Sequence, residues 1–155
     1  MLEDEGFVVV GRITLRPSDR FLVHFDRREA QSWGPAIYAF RVGGEVVRIG
    51  KTESTLKNRM NEWERLVSRA LAGHFQKGGT NPFEAFEWRR RLTEHRSGEF
   101  LARSGPTDAE RAFIRHYDPP LCNDSHCARL RPQRARSVKD VAVAEKYWKD
   151  LNRSS

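Results

Sequence analysis

Tyr38, Arg48, Lys51, Arg59 and Glu110 are the side chains of this sequence whose types and spacing could do chemistry. A phenol can position a water, or take its proton once neighbouring cations draw its pKa down from about 10. A guanidinium presents a planar fork that matches two oxygens of a phosphate. A lysine ammonium adds a point charge and becomes a base only where desolvation lowers its pKa. A glutamate offers the hard oxygen that a cation such as Mg²⁺ prefers. Hydrolysis of a phosphodiester draws on all of these: an activated water, neutralised charge on the pentacovalent state and a stabilised leaving oxygen. The types alone do not say which side chain takes which task.

The elements that must position them can be read from periodicity. Ile37 to Val42 alternates like a half-buried strand, Gly43-Gly44 reads as a tight turn, and Glu45 to Ile49 returns as the partner strand. Tyr38 and Arg48 thus share one hairpin, with Gly50 and Lys51 at its end. From Ser54 or Thr55 to about Leu71 the spacing turns helical, with Leu56, Met60, Trp63, Leu66, Val67 and Leu71 near one stripe and Arg59 beside it. Asn81-Pro82, with Glu84 following, caps another helix, in which Phe83, Phe86, Glu87, Arg90 and Arg91 take part. Gly98 to Arg103 reads as a third core strand. Thr107-Asp108-Ala109-Glu110 opens a helix that ends near Tyr117 and runs into Asp118-Pro119-Pro120-Leu121-Cys122-Asn123. Upstream, Phe7 to Leu15 and Phe21 to Phe25 read as two further strands, an extension of the sheet edge or an added element that contacts nucleic acid.

The ordered set of Tyr38, Gly50-Lys51, Arg59, Glu110 and Pro120-Leu121-x-Asn123 resembles the GIY-YIG nuclease family, over a stretch from about Pro35 to Asn123. There are departures. Ala36 stands where the family name expects glycine, Arg48 where the second signature opens with tyrosine, and Trp63 where a histidine or tyrosine is common. Basic residues replace that tyrosine in some restriction-enzyme members. Indole carries a donor and no basic nitrogen, so Trp63 cannot serve as acid or base and is expected to pack.

The resemblance implies roles. Glu110 would hold one divalent cation, Mg²⁺ or Mn²⁺, and Arg59 would bind the scissile phosphate. Tyr38 would position or deprotonate the attacking water, with Arg48 and Lys51 supplying the cations that lower its pKa and Lys51 a second candidate base. Asn123 would tune the site or hold the turn. Each residue also has an ordinary reading. Tyr38 could be a strand tyrosine with its hydroxyl at the surface, and Arg59 an exposed helix arginine. Glu110 could complete a capping box with Thr107.

The 155 residues suffice for one domain with an ordinary core, and a net charge of +7 is the electrostatic footprint of a nucleic-acid binder. No run has the length of a membrane span and no signal peptide is visible at the acidic start, so a cytoplasmic protein with no membrane partner is expected. Cys122 and Cys127 read as reduced cysteines. His24, His74, His95, His116 and His126 show no ligand spacing. A cationic stretch, Arg129, Arg131, Arg134, Arg136 and Lys139, is a candidate phosphate contact. Ser137 then caps a last amphipathic helix from Val138 to about Leu151.

The expected fold is therefore α/β: a small mixed or antiparallel sheet flanked by helices, with an N-terminal β-extension (1–34), a nuclease-like core (35–128) and a basic linker with a C-terminal helix (129–155). The expected function is metal-dependent endonucleolytic hydrolysis of DNA, double-stranded, with a homodimer on DNA if both strands are cut. A nucleic-acid-binding module that kept the fold and lost turnover is the alternative. A protein-binding adaptor with a basic surface is a third reading.

Overall fold

The computed structural model describes residues 1–75, 80, 82–121, 146 and 149. Apolar alternation produces β1 (Val8–Leu15) and β2 (Phe21–Phe25), then β3 (Ala36–Val42) and β4 (Glu45–Thr52). Helices α1 (Leu56–Leu71) and α2 (Pro82–His95) follow, then β5 (Ser97–Ser104) and α3 (Glu110–Tyr117). The five strands form one sheet in the order β2-β1-β5-β3-β4, with every pairing antiparallel. The N-terminal hairpin continues the sheet: β1 pairs with β5, the third core strand, and leaves β2 at one edge.

β4 is the other edge, and its hairpin turn follows from the two glycines. Gly43 and Gly44 take φ of 59° and 80°, the double left-handed geometry of a two-residue turn whose twist matches the strands. That turn sets the register in which Tyr38 faces Gly50, Phe40 faces Arg48 and Ile37 faces Lys51.

The sheet is covered on both faces. On one, α1 lays down Leu56, Met60, Trp63, Val67, Ala70 and Leu71, and α2 adds Ala85, Trp88 and Leu92. Leu66, expected in the same stripe, is only half-buried on its shoulder. Phe40 is the centre of this layer, with Trp63 and Trp88 each at 5.5 Å and Phe100 at 5.6 Å between ring centroids. The two tryptophans meet Phe40 edge to face, an arrangement that adds to their burial. On the other face, α3 sets Phe113 and Ile114 over Ile37, Ala39, Ile49 and Leu101, joined by Leu2 and Phe7 from the N-terminus. Arg41 fastens that N-terminus to the sheet, donating to Glu3 at 2.7 Å and to Glu99 at 3.0 Å.

Thr55 caps α1, its hydroxyl accepting from the Asn58 N–H at 3.3 Å. The capping box expected at α3 does not form. Ala109 is the N-cap with no side-chain cap bond, because the Thr107 hydroxyl is turned to Glu53 Oε1 at 2.6 Å. Past α3 the chain comes round the β4 edge: the Leu121 N–H donates to the Val47 carbonyl at 2.9 Å. Asn123, the cationic stretch from Arg129 to Lys139 and the expected last helix lie outside the described residues, apart from Lys146 and Lys149, which are helical.

Candidate active site

Tyr38 is central to the site and is buried, with 3% of its surface exposed. The reading of a strand tyrosine with a surface hydroxyl therefore fails. Its position depends on Gly50 across the hairpin: a Cβ there would collide with the Tyr38 hydroxyl. The phenol thus lies over the bare backbone of the edge strand. The Trp63 Nε1–H donates to its oxygen at 2.8 Å, so Trp63 packs, as expected, and also orients the phenol.

Three charged side chains act on that hydroxyl. Burial raises the Tyr38 pKa, and Arg48, the Trp63 hydrogen bond and Arg59 oppose the rise, while Glu110 adds to it. The charges of Arg59, on α1, and Glu110, at the start of α3, thus both act at a distance on this hydroxyl, one from each face of the sheet. Burial is the largest influence, so the phenol stays protonated near neutral pH.

Arg59 is partly exposed and donates to Glu62 at 3.0 Å, an i,i+3 pair on the helix surface. Such a pair contributes less than about 1 kcal/mol, so an arriving phosphate can displace it. Arg48 differs. Its guanidinium lies 4.6 Å over the Trp63 ring, donates to the Leu121 carbonyl at 2.5 Å and sits 3.9 Å from the fully buried Glu84. Its Nε has no hydrogen-bond partner among the described residues. Arg48 thus bolts β4 to α1, α2 and the turn after α3, and acts on Tyr38 through charge alone.

Lys51 does not join Arg48. It pairs with Ile37, and alternate residues of a strand point to opposite faces. It therefore leaves on the α3 side, half-exposed, with Glu53 at 3.8 Å. Arg48 lies on the Tyr38 face of β4 and Lys51 on the other. The register alone carried that signal, since Tyr38 and Gly50 fix the parity.

Sequence reasoning missed Glu84 and Trp88. Glu84 read as a helix-start carboxylate, yet none of its surface is exposed. A buried acid beside a buried arginine in a basic protein is visible only once α2 is docked.

Among the described residues no three His, Cys, Asp or Glu side chains gather closely enough to hold a metal by themselves. Glu110 is partly exposed at the first position of α3. One carboxylate suits a Mg²⁺-type ion that completes its shell with water and substrate phosphate oxygens.

The fold is similar to that of a mutant of bacteriophage T4 EndoII, with a TM-score of 0.51 and 19% identity over 77% of this chain and 94% of that one. It is also similar to restriction endonuclease HPY188I in complex with product DNA, with a TM-score of 0.48 and 11% identity over 76% and 79% of the two chains. No family model matches the sequence, and no curated protein does. The likeness to EndoII shows a shared α/β architecture.

Proposed function

We propose that this protein is a divalent-metal-dependent endonuclease of the GIY-YIG type that hydrolyses phosphodiester bonds of double-stranded DNA. The observation that carries the reading is the Tyr38 hydroxyl laid over Gly50 at the β4 edge, under the joint influence of Arg59 and Glu110. The fold shared with EndoII and the net charge of +7 support it.

Arg59 exchanges Glu62 for the scissile phosphate and fixes it through its planar fork. Tyr38, neutral and oriented by Trp63, directs its own O–H towards the attacking water. Lys51, half-exposed beside Glu53, adds positive charge on the α3 side, and the water proton is released to solvent. Glu110 holds Mg²⁺ or Mn²⁺, which when bound neutralises charge on the phosphate and the leaving oxygen. Asn123 and the run from Arg129 to Lys139 are proposed as a turn residue and as phosphate contacts. Cutting both strands with one such site calls for two protomers on the duplex.

One observation favours the second reading, a binding module without turnover. Arg48, at the tyrosine position of the signature, has its guanidinium spent on Leu121, Glu84 and Trp63. Incubation with supercoiled plasmid in Mg²⁺, Mn²⁺ and EDTA separates the two. Metal-dependent nicking or linearisation, lost in Glu110→Ala and Arg59→Ala, is the expected result. Salt-sensitive binding without cleavage in either metal would replace the nuclease by the binding module.

A further inference from the structure

A groove of about 540 Å³ runs between the outer surface of α1 and the turn joining β1 to β2, away from Tyr38. Arg20, Arg65 and Arg69 line it together with two acids, Asp19 and Glu64. The acids are occupied inward. Asp19 pairs with Arg89 at 2.9 Å, and Glu64 Oε1 accepts the Val23 N–H at 2.7 Å. Arg20, Arg65 and Arg69 form no ion pair among the described residues, and of the described arginines without one these are the three that line a single groove. Three arginines around an open groove, with Asp19 neutralised by Arg89 and Glu64 as the remaining acid, leave a net positive surface suited to a chain of phosphates.

Helix geometry relates this groove to the site. At 3.6 residues per turn and 1.5 Å per residue, Arg69 stands about 80° round α1 from Arg59 and about 15 Å along its axis. That rise matches about four to five nucleotides of a duplex strand at 3.4 Å each.

We propose that this groove is a second nucleic-acid contact. Arg20, Arg65 and Arg69 hold backbone phosphates of the duplex flank, Arg65 about two to three and Arg69 about four to five nucleotides from the phosphate at Arg59. The contact reads no sequence. It sets the angle at which the duplex crosses the β4 edge. This inference rests on the reading of the protein as a DNA-binding enzyme, and binding rather than cleavage tests it.

The experiment is fluorescence anisotropy with a labelled duplex of about 20 base pairs across a salt series. It compares the wild type, Arg65→Gln/Arg69→Gln, Arg20→Gln and a control pair of equal charge change, Arg90→Gln/Arg115→Gln. Each lost phosphate contact removes about 0.9 from the slope of log affinity against log salt. The double variant should therefore lose about 2 in slope and roughly tenfold in affinity at low salt. Arg20→Gln, on a separate element, should lose about 1 in slope, and the control pair should bind as the wild type does. Wild-type-like slopes in both groove variants, or an equal loss in the control pair, would overturn the groove and leave the enzyme reading standing. A wild type that binds no duplex even at low salt would overturn the parent reading, and the groove with it.

Discussion

The oxygen of Tyr38 accepts the Trp63 indole N–H inside the buried aromatic layer around Phe40. Trp63→Phe keeps most of the packing and removes the donor, leaving the phenol oxygen short of a partner. The expected cost is about 1–3 kcal/mol, read from urea midpoints. Cleavage should also fall, because the phenol loses its fixed orientation. The raised pKa of Tyr38 has a stability consequence of definite sign. A phenol whose folded pKa exceeds its unfolded value stabilises the fold fully below the unfolded value, and that contribution is lost as pH rises through the folded one. Wild type should therefore lose stability above about pH 10. Tyr38→Phe should show a shallower alkaline decline in urea midpoints taken between about pH 8 and pH 11. Equal alkaline slopes in the two proteins would contradict the burial account of this hydroxyl.

Among the elements, the β3–β4 hairpin sets the geometry, and Gly50 is its most sensitive point. Gly50→Ala places a methyl where the Tyr38 hydroxyl lies. A buried ring cannot move without strain, so a loss of about 1–3 kcal/mol is expected. Loss of cleavage without loss of duplex affinity should accompany it. Much of this was legible in sequence. Gly43-Gly44 marked the turn, alternation marked the strands, and the Leu56 to Leu71 stripe gave α1 to within a residue or two. Those are local signals. The pairing of β1 with β5 joins segments far apart in the chain, and nothing local encodes it. The capping box failed for a related reason: Glu53, distant in sequence, takes the Thr107 hydroxyl. The opposite faces of Lys51 and Arg48 follow from strand parity alone. Glu84 and Trp88 became visible only after α2 docked against β4 and the Phe40 cluster.

For the molecule as a whole, helices on both faces of one sheet put the Tyr38 hydroxyl, beside the β4 edge, under charges from both layers. α1 brings Arg59 and α3 brings Glu110, and Leu121 occupies the edge at Val47 while the Gly50 end carries Tyr38. The same α1 presents Arg65 and Arg69 outward, so one helix links the proposed cleavage centre to the proposed flank contact. No described helix is long and apolar enough to cross a membrane. The central claim is that Glu110 serves the chemical step and not the binding of DNA. The direct measurement is the single-turnover cleavage rate of a labelled duplex in Mg²⁺ for wild type and Glu110→Gln, with duplex affinity measured on the same samples. The account predicts a rate lower by about 10²–10³-fold or more, with affinity within about threefold, since a neutral amide leaves the phosphate contacts in place. A Glu110→Gln protein that cuts at the wild-type rate, or that loses binding in proportion to cleavage, would contradict it.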